Sequence, residues 1–378
     1  EIKSIKRVKG EIIYTEGQTY SSSSLLNKFS DNLSDEQKKK LSKFNKKYDL
    51  KYFEKLFSNF NKLKVLIIGE AMIDEYVFCD TLGKSGKEPV LALREMKSER
   101  YIGGSLAIAQ NVSQFCKNTK LITMLGKDNT FLKEIKSKLN KNIKVDFLEK
   151  KNSTTIVKKR FIDYVSYNKL LGVYNLNDDL LSQNDENKFQ KILTKQIPKF
   201  DLVIVSDYGH GLISKKTSDL ICKKSKFLAL NAQINSSNIG YHTMRNYKNL
   251  ECLIINEREI RHEFRDRSND LKILIKKLSK EQKIKNLIVT SGKKGATLYN
   301  LDKDKFVFSE ALAKKVVDKI GAGDSMLALI ALCLKSKVDE LLSLFVGSLA
   351  ASYSTETMAN KEYINKIKIL KGLEHLLK

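Results

Sequence analysis

The stretch Val316-Val317-Asp318-Lys319-Ile320-Gly321-Ala322-Gly323-Asp324-Ser325 runs straight into the apolar segment 326–334, and it constrains the fold more than any other part of the chain. Gly321 and Gly323 flank Ala322 and let the backbone turn tightly, with positive φ open at no Cβ cost. The apolar segment has the length and composition of a buried helix, so the pattern predicts a helix whose N-terminus is a glycine turn. Free N–H groups and the partial positive charge at such an end favour an anion such as a phosphate. Asp324 stands beside that anion site, placed to take a proton from a hydroxyl attacking the phosphate. This is the minimum apparatus for phosphoryl transfer to an alcohol. The same residues also suit plain helix capping, and the choice between the two turns on their company elsewhere.

Residues 61–70 read as a buried strand, a β-branched run ending at Gly69. Further buried strands are predicted at 120–125, 202–206, 226–230, 252–256 and 286–290. Helical patterns separate them, including a helix over 104–116 opened by Gly103-Gly104. Strands alternating with helices predict an α/β domain with a mainly parallel sheet covered on both faces. Segments 76–80 and 89–96 alternate instead, which predicts a smaller solvated sheet layer. Ligands of parallel sheets gather beyond the carboxyl ends of the strands, where Asp207, Asn256 and Thr290 fall. Residues 34–60 predict a helix capped by Ser34 or Asp35, with Leu41, Phe44, Tyr48, Leu50 and Phe53 on its apolar face. Residues 1–61 are therefore read as tail and connector, and 62–378 as the main domain.

The net charge of +25 is spread along the chain, with no zinc finger, helix-turn-helix or basic-aromatic platform, so no nucleic-acid partner is expected. No apolar run approaches the ~18 residues of a membrane span, so no membrane partner is expected either. Five scattered cysteines (Cys79, Cys116, Cys222, Cys252, Cys333) carry no zinc or disulfide pattern and fit a reducing cytoplasm. His210, His242, His262 and His375 are unclustered and read as structural or surface residues. The chain starts without a methionine, which suggests part of a longer protein.

Several short motifs follow in order. They are Gly69-Glu70-Ala71-Met72-Ile73-Asp74-Glu75-Tyr76, Glu88-Pro89-Val90, Gly103-Gly104, and Thr154-Thr155 with Lys158 and Arg160. Then come Ser206-Asp207-Tyr208-Gly209-His210-Gly211, Asn256-Glu257-Arg258-Glu259, Thr290-Ser291-Gly292-Lys293-Lys294-Gly295, and finally the segment from Asp318 to Asp324. Each has a local reading. Asp74 can accept hydrogen bonds from two sugar hydroxyls, or cap a loop. Gly103 and Gly104 let the backbone approach a ligand, or simply turn. Asn256 and Glu259 by themselves suit a helix start. Thr290 and Gly292 can meet nucleotide phosphates or ribose, within a hairpin that returns along 296–299. Lys84, Lys87, Arg94, Lys158 and Arg160 are the basic residues best placed for a phosphorylated sugar, or ordinary solvated charges.

On these residues the region 63–370 resembles the ribokinase-like (PfkB-type) carbohydrate kinases. Its front end is most similar to the kinase half of the bifunctional enzymes that make ADP-activated heptose. The resemblance implies a three-layer α/β sandwich with a small β lid, ATP and Mg²⁺ as cofactors, and a homodimer formed through the lid. It implies Asp324 as general base, with Gly321, Ala322 and Gly323 forming the anion hole. Asp74, Gly103, Gly104, Lys158, Arg160 and Asp207 would bind substrate. Asn256, Glu259, Thr290, Gly292, Gly295 and Asp318 would bind cofactor, with Glu259 toward the metal. Two departures stand out: Ala107 replaces a sugar-binding Asn, and Asn231-Ala232-Gln233 replaces Asp-x-Lys, with an amide-rich loop over 233–249. Residues 11–27 resemble the end of a cytidylyltransferase-like domain, implying a covalently linked nucleotidyltransferase. The expected function is ATP-dependent phosphorylation of a sugar or sugar phosphate, heptose-phosphate-like acceptors favoured. The alternative is a catalytically silent kinase-fold module.

Overall fold

In the computed structural model, the description covers residue 39 and residues 47–127, 130–313 and 315–376. A nine-stranded sheet forms the centre, in the order β13-β12-β11-β10-β9-β8-β1-β4-β5. Its strands are β1 (Lys64–Gly69), β4 (Asn118–Gly126), β5 (Ile143–Lys150), β8 (Leu202–Asp207), β9 (Leu228–Ala232), β10 (Leu250–Asn256), β11 (Ile284–Thr290), β12 (Ala296–Asn300) and β13 (Lys305–Ser309). Pairing is parallel from β5 through β11, and β12 and β13 add an antiparallel edge. Chain order reverses at β1, which lies between β8 and β4, so the crevice at its carboxyl end is the natural ligand position.

Alternation in β1 shows why both faces must be covered. Val65 and Ile67 join one buried cluster, Leu66 and Ile68 the other. The first face is packed by helices α1 (Leu50–Phe60), α2 (Ser105–Ser113), α8 (Ala322–Lys335), α9 (Glu340–Thr355) and α10 (Lys366–Leu376). The other face carries α4 (Gln183–Gln196), α5 (Lys215–Lys224), α6 (Glu257–Phe264) and α7 (Leu271–Gln282). A short helix, α3 (Leu132–Lys138), follows β4. Every side chain of α8 from Ser325 to Cys333 is buried, as its all-apolar sequence requires. Among the described residues no helix is long and apolar enough to cross a membrane.

A second sheet of four strands, ordered β3-β2-β6-β7, stands over the crevice. It comprises β2 (Ala71–Lys84), β3 (Leu91–Gly104), β6 (Ile156–Asp163) and β7 (Lys169–Asn175). The base of β2 is buried and its far end exposed, and β7 is exposed throughout. This is the smaller second sheet expected at 76–80 and 89–96, but it is not solvated throughout: Tyr76, Val77, Phe78 and Cys79 are all buried.

The helix expected over 34–60 is corrected. Ser34, Asp35, Leu41 and Phe44 lie outside the described residues, as does 11–27. Within them, the backbone at Tyr48 and Asp49 is non-helical and α1 starts at Leu50, capped by Asp49 accepting from the Tyr52 N–H at 2.8 Å. Nor does α1 behave as a detached connector. Phe53, Leu56, Phe57 and Phe60 are buried in the larger core, and the Phe57 ring meets Phe115 of the α2–β4 connection at 5.4 Å. The packed body therefore reaches back to Tyr48, ahead of the boundary expected near residue 62.

Candidate active site

The site is assembled where β1 and β8 end together. Gly69 is in register with Ser206, and a Cβ on Gly69 would lie 2.2 Å from the Ser206 carbonyl oxygen. Next along the chain, the fully buried Glu70 accepts from the N–H groups of Tyr208 (3.0 Å) and His210 (3.1 Å). Burial first, then the charge of Asp207, pushes its carboxyl up to about 7, against the pull of those N–H groups. Asp207 accepts from the Tyr247 hydroxyl (2.6 Å) and from the Gly209 N–H (3.0 Å). The side-chain amides of Asn235 and Asn238 both donate to the Tyr208 carbonyl, at 2.9 and 2.7 Å. The amide-rich loop is thus a clamp on the 207–211 turn. Asp207, expected to meet substrate, also builds that turn, with both its oxygens engaged inside the protein.

The clamped turn presents Tyr208, whose hydroxyl donates to Asp324 Oδ1 at 2.7 Å. Asp324 is in the first turn of α8. Gly321 precedes that helix at φ 84°, and a Cβ there would fall 2.1 Å from Asn360 Oδ1. Ser325 N–H closes the turn on the Gly321 carbonyl (2.9 Å), while among the described residues nothing accepts from the N–H groups of Gly323 or Asp324. No atom lies within 4 Å of the position a Gly323 Cβ would take. The helix end is therefore open, with free donors and a positive dipole end. Burial raises the Asp324 carboxyl to about 6; the Tyr208 hydrogen bond and the Lys158 charge lower it, and Asp74 raises it. Asn111 of α2 donates to Ser325 Oγ (3.1 Å) and accepts from the Ile364 N–H (3.1 Å), fixing α2 against this turn.

From the lid, β2 and β6 bring Asp74 opposite Lys158 and Tyr76 opposite Arg160. Asp74 lies over the glycine pair: a Cβ on Gly103 would be 2.2 Å from Asp74 Oδ2, and Gly104 holds φ 60° ahead of α2. Arg160 Nη1 donates to Asp74 Oδ1 at 2.6 Å. Burial opposes the Arg160 charge, but Asp74 outweighs it and raises the pKa. Lys158 differs. It is buried, its ammonium lies 5.5 and 5.8 Å from the ring centres of Tyr208 and Tyr174, and among the described residues no acceptor is within hydrogen-bond reach of it. Burial lowers its pKa, while Asp74 works the other way. Lys84, Lys87 and Arg94 stand apart from this group, on the exposed end of the β2–β3 hairpin. Ten residues of extended β2 separate Lys84 from Asp74, roughly 33 Å.

Beyond the end of β10, Asn256 and Glu259 form a reciprocal capping box at the start of α6. Asn256 Oδ1 accepts from the Glu259 N–H (2.9 Å), and Glu259 Oε2 from the Asn256 N–H (2.7 Å). Glu259 Oε1 accepts from Ile234 N–H (3.3 Å), and burial pushes its carboxyl up to about 7. With both oxygens engaged, Glu259 fits a Mg²⁺ that arrives on the nucleotide and is reached through water, not one held directly. Among the described residues no group of three or more His, Cys, Asp or Glu is arranged to hold a metal. Thr290 ends β11 half-buried, Gly292 (φ 57°) opens the turn, and Gly295 (φ 98°) packs where a Cβ would lie 2.2 Å from the Ser309 carbonyl. Asn231 turns its amide onto the Ile254 carbonyl (2.7 Å). The carboxylate of Asp318, expected among the cofactor ligands, is held by Tyr76 and Lys169, at 2.5 and 2.6 Å.

Sequence reading omitted Tyr208, Glu70, Tyr174 and Asn360 from the site. The first two sit inside motifs already quoted; Tyr174 and Asn360 reach the site only through the fold.

Against known proteins, a family model described as pfkB family carbohydrate kinase matches residues 62–362. The chain is 27% identical over 288 residues to the bifunctional protein HldE of Campylobacter jejuni strain RM1221, covering 75% of this chain and 59% of that protein. It is 28% identical over 298 residues to the Campylobacter curvus protein of the same name, covering 77% and 61%. The chain therefore spans about three fifths of the length of these relatives. Among solved structures, Escherichia coli phosphofructokinase-2 in complex with fructose-6-phosphate superposes with TM-score 0.65 at 14% identity, covering 84% of this chain and all of that one. Arabidopsis thaliana ribokinase complexed with ribose and ATP gives 0.62 at 17%, covering 82% and 99%. The fold is ribokinase-like, and with most of its length matched by the family model, the chain belongs to the pfkB family of carbohydrate kinases.

Proposed function

We propose that this sugar kinase transfers the γ-phosphoryl group of ATP to a hydroxyl of a sugar that already carries a phosphate, a heptose phosphate being favoured. The observation that carries the reading is the pairing of Asp324 at the open N-terminus of α8 with the Asp74–Arg160–Lys158 group of the lid, bridged by Tyr208, whose hydroxyl is 2.7 Å from Asp324 Oδ1 and whose ring centre is 5.5 Å from the Lys158 ammonium. Asp324 accepts the proton of the attacking hydroxyl, a role worth ~10²–10⁴ in rate. The N–H groups of Ala322, Gly323 and Asp324 hold the transferring phosphoryl, where loss of one donor costs ~3 kcal/mol. Asp74, oriented by Arg160 and backed by Gly103 and Gly104, accepts from the sugar hydroxyls. Lys158, whose charge has no carboxylate partner, takes the acceptor phosphate; Arg160 is already spent on Asp74. Asn256, Glu259, Thr290, Gly292 and Gly295 frame the nucleotide. Mg²⁺ bound with ATP would neutralise phosphate charge there.

The heptose preference is supported by the HldE relatives, and their bifunctional name and greater length support a linked second domain. A homodimer through the lid is supported by the exposed apolar residues of β7, Leu171 and Val173 among them. The test is a coupled ADP-release assay with Mg²⁺ and ATP against neutral sugars, hexose 6-phosphates and heptose 7-phosphates. Higher kcat/KM for phosphorylated acceptors is expected. Equal values would refute the phosphate preference, and ligand-induced thermal stabilisation without any turnover would favour the silent-module alternative.

A further inference from the structure

Asp318 is six residues ahead of Asp324, in the loop that leads into the open end of α8, yet two of its four hydrogen-bond partners come from the lid. Its side chain is buried. Oδ2 accepts from the Tyr76 hydroxyl of β2 at 2.5 Å and from the Ala359 N–H at 3.2 Å. Oδ1 accepts from Lys169 Nζ of β7 at 2.6 Å and from the Ile320 N–H at 3.3 Å. Burial raises the Asp318 pKa, but the hydrogen bonds from Lys169 and Tyr76 outweigh it and leave the carboxyl below its usual range. Lys169 is the outlying member: it belongs to a strand exposed along its whole length, and its side chain, 43% exposed, reaches inward to a carboxylate that is 1% exposed. A second tie runs in parallel, from Asn360, whose amide donates to the Ile102 carbonyl of β3 (3.2 Å) while its oxygen fills the space beside Gly321.

We infer that Lys169 and Tyr76 are positioning residues for phosphoryl transfer, acting through Asp318 to couple the lid to the loop that presents the N–H groups of Ala322, Gly323 and Asp324. The same sheet carries Asp74 and Lys158, so one rigid body would seat the acceptor and set the anion loop. Without Lys169, the loop keeps its sequence and its helix but loses its ionic tie to the edge strand. A half-exposed ion pair adds little to global stability, whereas a tie between two moving parts sets their relative position. The inference rests on the phosphoryl-transfer reading only for its consequence, since the tie itself is a property of the fold.

The experiment uses the full chain and its Lys169→Met, Lys169→Arg and Tyr76→Phe variants. The probes are a non-hydrolysable ATP analogue with Mg²⁺, and backbone amide hydrogen exchange over 319–324. Lys169→Met is expected to speed exchange in that segment, to weaken the analogue ~10-fold, and to leave the melting temperature within about 2 °C. Lys169→Arg should restore exchange to the original rate, and Tyr76→Phe should speed exchange in the same segment. Combining Lys169→Met with Asp318→Asn should add nothing beyond the Asp318→Asn change alone. Unchanged exchange in Lys169→Met, or additive effects in the double variant, would overturn the coupling. If the unaltered protein fails to bind the analogue, the nucleotide reading falls, and the exchange measurements still decide the coupling.

Discussion

Tyr208→Phe tests the site at a single atom. The phenol ring is buried and lies parallel to the His210 ring, 6.5 Å between centres, so the phenylalanine keeps the packing and loses only the hydroxyl. That hydroxyl donates to Asp324 Oδ1 at 2.7 Å and is one of two groups holding down a carboxyl that burial has pushed up to about 6. A hydrogen bond to a charged group has a net worth of ~1.5–3 kcal/mol, and one pKa unit corresponds to ~1.4 kcal/mol, so its loss raises the Asp324 pKa by at least ~1 unit. The base acts only when ionised, so kcat/KM falls as pH drops through its pKa. The unaltered enzyme should hold ~90% of its plateau at pH 7 and ~10% at pH 5, for a pKa near 6. In Tyr208→Phe the acid limb moves to pH 7 or above, giving a roughly twofold loss at pH 7, a roughly fivefold loss at pH 6 and near-equality at pH 9. The assay is kcat/KM for ATP turnover with a saturating sugar phosphate between pH 5 and 9. An unmoved acid limb beneath a uniformly lowered plateau would refute this tuning of Asp324.

Other expectations are more direct. Asp324→Asn should lower turnover by ~10²–10⁴ while leaving nucleotide binding, read by calorimetry, within a few fold. At about pH 9, where Asp324 is ionised with or without the lysine, Lys158→Met should raise KM for a phosphorylated acceptor by ~10-fold or more and leave the neutral sugar nearly unchanged. Arg160→Ala should impair both acceptors, because it strips Asp74 of its partner; equal effects of the two variants on both acceptors would erase the distinction. Phe57→Ala should cost ~3–5 kcal/mol in denaturant unfolding, as expected for emptying a buried aromatic site against Phe115. A chain starting at Asn61 should be destabilised for the same reason, and unchanged cooperative unfolding of that chain would show α1 to be dispensable.

What the sequence determined by itself was set by local rules. β-branched runs ending in Gly69, Ser206-Asp207, Asn256 and Thr290 specify parallel strands, because a strand covered on both faces reads as an uninterrupted apolar segment. The Gly321–Asp324 turn before an all-apolar helix specifies an open helix end, because only glycine holds φ near 84° without strain at that position. Segments 76–80 and 89–96 fall largely in the second sheet as expected, but Tyr76–Cys79 are buried on both faces, which alternation does not specify. Tertiary structure decided the rest, since it depends on which side chains meet across long stretches of chain. Arg160 and Lys158 look alike in sequence, and although the β2–β6 register sets Lys158 opposite Asp74, the folded side chains give Asp74 to the arginine. Asp318 and Asp207 stand in motifs as ligand-like as those of Asp74 and Asp324, yet partners 149 and 40 residues away fill them from inside the protein. Amphipathic spacing in α1 marks a face to be buried, but not the partner that buries it; packing against Phe115 makes it part of the core. A buried carboxylate is satisfied by whatever donors the fold brings within 3 Å of it, and that selection is non-local.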